Sequence, residues 1–255
     1  MTDDGLATIQ DNGWDSKAWT DGVWLYRDPR RPEVVPRLLA EAALLPWLAP
    51  QLPLTVPVPE LTATGVRHRL LPGVPLEDAP VGKALGSFLR ALHAVDPAEA
   101  VQHSAQDAEA AHAERSAVQA RMAAEVLPRL PEDVRRRGED LLAEIAQATY
   151  AQLVHGDLGP DHILVTGDAV TGVIDWTDAH IGDPALDLSW LLYGAEPIVA
   201  EAVAASYEPD QDVKRRALAW HRLGPWYEVL FGLDTERPEL VQSGLAGVTS
   251  RLVQP

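Results

Sequence analysis

The sequence has no cysteine among its 255 residues. A disulfide framework, a thiolate zinc site and a cysteine nucleophile are therefore excluded. No apolar run reaches the length of about 18 residues that a membrane span requires, so no membrane partner is expected. The N-terminal segment MTDDGLATIQ has neither the basic start nor the apolar stretch of a secretory signal. The expected location is the cytoplasm.

Positive charge is also scarce, because 21 Lys and Arg residues stand against 38 Asp and Glu residues and leave a formal net charge of -17. Such a surface repels a phosphate backbone, which argues against nucleic-acid binding. It would attract a cationic small molecule, although an acidic balance also serves solubility alone. Hydrophobic residues make up 46% of the chain, which is enough for one large domain or two modest lobes.

The N-terminal part, residues 1–73, is predicted to contain strands and one helix. A turn is expected at Asp11-Asn12-Gly13 and a strand at Val23 to Arg27, where strand-forming residues stop before Asp28-Pro29. A helix follows from about Glu33, and its apolar face carries Leu38, Glu41, Ala42 and Leu45. A carboxylate on an apolar face requires a partner, so Glu41 is expected to meet a cation.

The remaining residues, 74–255, are predicted to form a larger helical lobe. Five prolines in residues 46–60 indicate a connector, and a strand from Val66 ends at Pro72-Gly73, where the lobe boundary is expected. Helical stretches are predicted at residues 82–95, 97–127 and 132–149, and again after Asp183-Pro184. Short strands at 152–154, 163–165 and 172–174 interrupt them as a small insert. The fold class is therefore α+β with two lobes.

The insert carries a dense polar cluster, consisting of His155, Asp157, Asp161, His162, Asp175, Asp178, His180, Asp183 and Asp187. Asp157 follows the first strand, His162 precedes the second and Asp175 ends the third. A tight hairpin between residues 163 and 174 would bring His162 and Asp175 together. An imidazole between two acids suits Mg²⁺ binding and proton transfer. A metal hydrolase built on His155, His162 and Asp175 is an alternative.

Three strings in this region resemble the aminoglycoside phosphotransferase family. They are His155-Gly156-Asp157-Leu158-Gly159-Pro160-Asp161-His162, then Val173-Ile174-Asp175-Trp176, then Gly182-Asp183-Pro184-Ala185-Leu186-Asp187-Leu188. That family shares the protein-kinase-like fold and includes macrolide, choline and related kinases. The resemblance implies a small β-rich N-terminal lobe, a larger helical C-terminal lobe with a short β-hairpin insert, and phosphoryl transfer to a small molecule.

The resemblance also implies a role for each residue of the insert. Asp157 would orient the substrate hydroxyl and accept its proton. Asp175 would bind the metal, and His162 occupies the place of the second metal ligand, which is usually Asn. Asp187 would brace the catalytic loop, and Ile174 would form one wall of the base pocket. An imidazole is a weaker partner for Mg²⁺ than an amide oxygen.

In the N-terminal lobe, Arg27 stands where the family usually has a phosphate-gripping Lys. The resemblance makes Glu41 the ion-pair partner of Arg27. This agrees with the cation that Glu41 requires as a carboxylate on an apolar face. The guanidinium can hold phosphate through two donors, yet it does not reproduce the geometry of a Lys.

Two further parts of the N-terminal lobe would meet the nucleotide. Leu25 would cover the base. Residues 13–17, GWDSK, resemble the phosphate-covering loop and would place Ser16 or Lys17 near the phosphates. The loop has one glycine instead of a full Gly-x-Gly-x-x-Gly, which weakens the case for a cradle of backbone amides.

The expected reaction is transfer of the γ-phosphoryl group of ATP or GTP, with Mg²⁺, to a hydroxyl of an antibiotic-type acceptor, with resistance as the consequence. The acidic charge favours an aminoglycoside, whereas His162 and the run Asp175 to Asp178 resemble macrolide phosphotransferases. Asp178, Tyr227 and Glu228 are candidate acceptor contacts. A kinase of an endogenous metabolite and a nucleotide-binding protein without transferase activity are the alternatives. The sequence leaves the oligomeric state, monomer or homodimer, undecided.

Overall fold

The computed structural model describes the backbone of residues 7–8 and residues 16–253 in full. The expected α+β organisation in two lobes is confirmed. The predicted turn at residues 11–13 lies outside the described residues. No helix among those described combines the length and the apolar character of a membrane span.

A five-stranded antiparallel sheet forms most of the N-terminal lobe, in the order β1-β2-β3-β5-β4. Its strands are β1 Ala7–Thr8, β2 Ser16–Thr20, β3 Trp24–Pro29, β4 Glu60–Leu61 and β5 Val66–Arg69. The central strand is β3, and Arg27 pairs there with Ala18 on one side and with Val66 on the other. Arg27 is thus held in the middle of the sheet.

Helix α1, Val35–Leu48, packs against this sheet through a small buried cluster of Val34, Leu38 and Val66. A 3-10 turn, Pro32–Val34, precedes it, so the helix begins slightly later than Glu33. The prediction that the connector begins at residue 46 was wrong, because α1 continues through Pro46 to Leu48. Proline in the last turn removes only its own N–H donor, and buried leucines around it keep that turn in place.

Two small sheets lie in the C-terminal lobe. Their strands are β6 Val74–Pro75, β7 Gln152–Val154, β8 Ile163–Thr166, β9 Ala169–Val173 and β10 His180–Gly182. One sheet has the order β6-β8-β9 and contains the expected hairpin, and the other pairs β10 with β7. The strand β6 directly follows Gly73 and pairs with β8. The boundary at residue 73 stays a prediction.

Eight further α-helices lie in the C-terminal lobe among the described residues. The helices are α2 Gly82–His93, α3 Pro97–Gln102, α4 Ala108–Arg121, α5 Glu132–Ile145, α6 Ala185–Tyr193, α7 Pro197–Tyr207, α8 Gln211–Asp234 and α9 Pro238–Val253. The single helical stretch predicted at 97–127 was wrong: Ser104 has a left-handed backbone and Asp107 caps a new helix, α4, by accepting a hydrogen bond from the N–H of Ala110.

The main core lies between the C-terminal helices and the small sheets. On α2, Leu85, Phe88 and Leu89 are fully buried. The ring of Trp176 packs edge-on against Phe88 at 6.2 Å between centroids, and its indole N–H donates to the carbonyl of Val173 at 2.9 Å. Burial of such a side chain stabilises the fold by about 1.5–3 kcal/mol. Trp176 therefore fixes the segment that follows β9 and carries Asp175.

Candidate active site

The loop after β7 turns sharply at Gly156, which has a φ of 88°. A Cβ at this position would lie 2.2 Å from the backbone carbonyl oxygen of Asp178. Only glycine tolerates both the left-handed backbone and this contact. The glycine thus lets the loop that carries Asp157 pack against the segment that carries Asp178.

Asp187, on α6, is completely buried and holds this loop through hydrogen bonds to its backbone. Its Oδ2 accepts from the N–H of His155 at 2.8 Å, and its Oδ1 accepts from the N–H of Gly156 at 3.0 Å. The Nε2 of His93 lies 3.1 Å from Oδ2. Burial alone would raise the pKa of Asp187, but His93 and the backbone donors outweigh it and lower that pKa. The carboxylate is therefore ionised and fully paired.

The sequence reasoning missed His93 and its second partner, the hydroxyl of Tyr207, which lies 2.8 Å from Nδ1. A signal was present, because His93 follows Leu89 by four residues on the apolar stripe of α2. A buried imidazole in such a stripe requires polar partners. The three side chains form a continuous chain from α7 through α2 to α6.

His155 is also fully buried, and both of its ring nitrogens are engaged. Nε2 donates to the carbonyl of Ile174 at 3.0 Å, and Nδ1 accepts from the N–H of Asp157 at 3.3 Å. Burial lowers the pKa of His155, so the ring is neutral, and the hydrogen bonds define its tautomer. Neither nitrogen remains for a metal, which removes one ligand from the hydrolase alternative.

Asp157 projects into solvent, with 65% of its side chain exposed. His162 lies beside it: Nδ1 donates to the backbone carbonyl of Asp157 at 2.7 Å and is 3.7 Å from its Oδ2. Because Nδ1 carries the proton, the lone pair of a neutral ring is on Nε2. That atom is 3.9 Å from Oδ2 of Asp175. The structure thus brings Asp157, His162 and Asp175 to one edge of the hairpin.

Asp175 follows β9 with a left-handed backbone, φ 62°. Non-glycine residues in this conformation carry strain on the order of 1 kcal/mol or more, and such strain clusters at functional sites. Its Oδ1 accepts from Nη2 of Arg27 at 2.8 Å and from the hydroxyl of Thr177 at 2.9 Å. Burial opposes ionisation, yet Arg27 and His162 bring the pKa of Asp175 down to about 2.

Arg27 and Glu41 form a buried ion pair, with exposures of 8% and 2%. Nη1 of Arg27 lies 3.1 Å from Oε1 and 2.9 Å from Oε2 of Glu41. Burial raises the pKa of Glu41 to about 7, against the influence of Arg27. Since the same guanidinium reaches Asp175, it connects β3, α1 and the end of β9.

The register of the sheet shows which face each of the other predicted nucleotide contacts occupies. Leu25 and Arg27 alternate onto one face of β3, and Ser16, two residues from the partner of Arg27 on β2, shares that face. The Ser16 hydroxyl is buried and makes no hydrogen bond to another residue in the described part of the chain. Lys17 pairs with Asp28 on the opposite face. Their nucleotide contacts stay predictions.

On the side of α4, the exposed Asp178 pairs with Arg37 of α1, at 3.1 Å. The same arginine reaches Glu114 of α4 at 2.6 Å. Partial burial, together with the charges of Asp157 and Asp175, raises the pKa of Asp178 to about 6, against the influence of Arg37.

The other two candidate acceptor contacts, both on α8, point in different directions. The hydroxyl of Tyr227 accepts from Nη1 of Arg115 at 2.6 Å, which places it between α8 and α4. The carboxylate of Glu228 accepts from the hydroxyl of Ser243 on α9. The structure therefore brings Tyr227, but not Glu228, to the α4 side of α8. Arg115 is a residue that the sequence reasoning missed.

Asp175 and His162 are the candidate ligands for Mg²⁺. This ion prefers oxygen ligands and usually uses one or two carboxylates, waters and substrate phosphates. Oδ2 of Asp175 is the oxygen that Arg27 does not contact, and Nε2 of His162 faces it. Within residues 16–253, no group of three or more His, Cys, Asp or Glu side chains surrounds a common point. Asp175 therefore fits a site completed by phosphates, and no closed protein cage is present in that range.

The fold and this arrangement define a kinase-like phosphotransferase. Residues 11–226 match the family described as the phosphotransferase enzyme family, and the chain belongs to it. It is 32% identical over 194 residues to viomycin phosphotransferase from Streptomyces vinaceus, covering 69% of this chain and 67% of the relative. The expected family is confirmed, together with the class of enzyme, a phosphotransferase with an alcohol group as acceptor.

Solved structures agree with this assignment. The macrolide 2'-phosphotransferase MphH from Brachybacterium faecium superposes with a TM-score of 0.76 at 28% identity, over 95% of this chain and 91% of that chain. The GDP and kanamycin complex of APH(2")-IIia gives a TM-score of 0.83 at 22% identity, over 96% and 92%. The second likeness confirms the fold, namely two lobes of the kinase type.

Proposed function

We propose that this enzyme transfers the γ-phosphoryl group of ATP or GTP to a hydroxyl of an antibiotic-type acceptor, an aminoglycoside or a macrolide, and thereby confers resistance. One observation carries the proposal: the exposed carboxylate of Asp157 stands beside Asp175, which is itself joined to the buried pair of Arg27 and Glu41. The relatives support it, because their names include viomycin and macrolide phosphotransferases, and solved neighbours hold GDP or ADP.

The reaction assigns separate tasks to the two lobes, which we divide at residue 73. The substrate hydroxyl donates a hydrogen bond to Asp157, and its oxygen attacks the γ-phosphorus while its proton passes to the Asp157 carboxylate. The bond between the γ-phosphorus and the β,γ-bridging oxygen breaks, and ADP or GDP leaves with that oxygen. Asp187 and His155 hold the loop so that this carboxylate stays in one position. When bound, Mg²⁺ supplies charge neutralisation for the phosphates, and Asp175 with His162 would hold it.

The phosphates and the base require contacts of their own. Arg27 donates to the phosphates while Glu41 keeps its guanidinium in place. Ser16 shares the face of Arg27 and would contact the phosphates, whereas Lys17 lies on the opposite face and is the weaker of the two candidates. Leu25 and Ile174 would form the walls of the base pocket. The acceptor would lie on the side of Asp178 and Tyr227, while Glu228 faces α9 and would not contact it.

The test is a transfer assay with γ-labelled ATP and GTP, run against aminoglycosides, macrolides, peptide antibiotics, sugars and amino alcohols. Asp157→Asn is expected to lower kcat by about 10²- to 10⁴-fold, because general base catalysis contributes that much. Asp161→Asn is the matched control, since Asp161 is an exposed carboxylate on the same loop. Nucleotide affinity, measured by calorimetry, should be kept in both variants.

Three outcomes separate the alternatives. Transfer by Asp157→Asn at more than a tenth of the wild-type rate would contradict the catalytic assignment. Transfer only to sugars or amino alcohols would indicate a metabolite kinase. Nucleotide binding with no transfer to any acceptor would indicate a nucleotide-binding protein without transferase activity.

A further inference from the structure

Arg115 is a partly buried cation between α4 and α8, close to the catalytic loop but outside the roles described above. Its Nη1 donates to the Tyr227 hydroxyl at 2.6 Å, and its guanidinium lies 5.4 Å from the ring centroid of Trp220 and 5.9 Å from that of Tyr227. Tyr150 also lies near the guanidinium. Burial raises the pKa of the Tyr150 phenol, and the charge of Arg115 acts against that rise.

A short chain of contacts connects this position to Asp157. The ring of Tyr150 lies 6.3 Å from that of His180, and Nδ1 of His180 donates to the carbonyl of Asp178 at 2.7 Å. That carbonyl packs against Gly156, directly before Asp157. Arg115 is therefore connected to the catalytic loop on the side of α4, which is the side that the proposed function assigns to the acceptor.

The carboxylates nearest to Arg115 are committed to other partners. Asp183 accepts from Arg216 at 2.9 Å and from the indole of Trp220 at 3.0 Å. Asp178 and Glu114 both pair with Arg37. In the described part of the chain, no carboxylate lies within ion-pair distance of the Arg115 guanidinium, so its donors are not taken up by an ion pair.

A cation in this setting has a clear chemical preference. The guanidinium has five N–H donors in a fixed plane and accepts nothing, so it binds carbonyl, ether, hydroxyl or carboxylate oxygens. An ammonium group placed beside it meets repulsion that partial burial strengthens. The aromatic rings of Trp220, Tyr150 and Tyr227 add apolar surface with polar edges.

We propose that Arg115, supported by Tyr150 and Tyr227, is a specificity-determining residue that selects acceptors rich in oxygen and poor in ammonium groups. The inference rests on the proposed function and narrows its acceptor to a hydroxyl compound of low positive charge. The net charge of -17 describes the whole surface, whereas the acceptor would contact the single guanidinium of Arg115.

The experiment compares two probes, erythromycin with a single amino group and kanamycin with several. Wild type is expected to show kcat/KM for erythromycin at least 10-fold above that for kanamycin. Arg115→Gln should reduce the value for erythromycin about 10-fold, mainly through KM, and Arg115→Glu should move the ratio of the two at least 100-fold toward kanamycin. The KM for nucleotide should stay constant in every variant.

A purely structural role of Arg115, holding α4 against α8, predicts a different result. It would lower stability without changing the ratio of the two acceptors. Arg121→Gln is the matched control, because Arg121 lies on the same helix and pairs on the surface with Asp234 and Glu125. Should Arg115→Glu fail to fold, Tyr227→Phe keeps the ring, removes the hydroxyl, and is expected to raise the KM for erythromycin several-fold.

A ratio that Arg115→Gln and Tyr227→Phe both leave unchanged would overturn the inference. Failure of the proposed function is a separate result, namely no transfer to any acceptor. In that case calorimetric binding of the two probes decides the inference alone. Tighter binding of erythromycin, lost in Arg115→Gln, supports it, whereas tighter binding of kanamycin, or binding of neither probe, contradicts it.

Discussion

Within the described residues, Arg27 and Arg37 each connect the N-terminal lobe to the C-terminal lobe through carboxylates on both sides. The inner bridge consists of Arg27, Glu41 and Asp175, with contacts of 2.9 and 2.8 Å. The outer bridge consists of Arg37, Glu114 and Asp178, with contacts of 2.6 and 3.1 Å. The two bridges have the same charges and similar lengths.

They differ in exposure. In the inner bridge the side chains of Arg27 and Glu41 are 10% and 1% exposed, and only Asp175 reaches 39%. In the outer bridge Arg37, Glu114 and Asp178 are 40%, 50% and 44% exposed. An exposed pair contributes about 0–1 kcal/mol, while breaking a buried pair by removing one partner costs about 3–5 kcal/mol. Two bridges of similar geometry should therefore contribute differently to stability, and the larger contribution is expected from the buried pair of Arg27 and Glu41.

Loss of the Arg27 side chain is the change expected to have the largest effect. Arg27→Met should destabilise the protein by about 3–5 kcal/mol at pH 8, because Glu41 then stays buried without the cation that favours its ionised form. The same change in the outer bridge, Arg37→Met, should cost less than about 1 kcal/mol. The measurement is chemical unfolding at equilibrium. Equal losses in the two variants would show that burial does not distinguish the bridges.

The pH dependence of stability sharpens the comparison at Glu41. Its pKa is raised from 4.5 to about 7 by burial, so the folded chain binds the proton more tightly than the unfolded chain. The associated stability is complete below about pH 4.5 and is lost as the pH rises through about 7. Glutamine does not titrate. Between pH 5 and pH 8, Glu41→Gln should therefore gain up to about 3 kcal/mol relative to wild type.

The measurement is urea unfolding of both proteins at several pH values, with Glu114→Gln as the exposed control. The control difference should be flat across this range. A flat difference for Glu41→Gln as well would mean that Glu41 titrates normally, and the effect of burial would be contradicted.

The pair of Arg27 and Glu41 could be predicted from the sequence, whereas the contact of Arg27 with Asp175 was not predicted, because it joins distant parts of the chain. The helical period placed Glu41 on an apolar face, and the need for a partner follows from the cost of burying a carboxylate. The hairpin signal likewise brought His162 and Asp175 to one edge. In both cases a local pattern places the residues: the helical period for Glu41, and the hairpin for His162 and Asp175.

The outer bridge and Arg115 could not be predicted, since each depends on how separate elements pack. Arg37 and Arg115 lie on helix faces that look like ordinary solvated surface in sequence. Their partners come from α4, α8 and the segment after β9, which only the tertiary structure brings together. The break near Ser104 was missed for a related reason, because no glycine or proline marks the left-handed turn.

Nucleotide binding should also distinguish the two glutamates. Glu41→Ala is expected to raise the KM for nucleotide about 10-fold, equal to about 1.4 kcal/mol, by releasing the Arg27 guanidinium. Glu114→Ala removes a carboxylate of the outer bridge and should leave that KM unchanged. Steady-state kinetics with a saturating acceptor measure both. An unaltered KM in Glu41→Ala would refute the role of the ion pair in holding phosphate.

The smallest effect is expected from the outer bridge itself. A double-mutant cycle of Arg37→Ala and Asp178→Ala should give a coupling energy of about 0.2–1 kcal/mol at low salt. At about 1 M salt, where the screening length falls to about 3 Å, the coupling should vanish. The same cycle for Arg27 and Glu41 should keep most of its coupling, because salt does not reach a buried pair. If the Arg37–Asp178 coupling persisted in salt, the outer bridge would be a buried contact as well, and exposure would no longer explain why the two bridges differ.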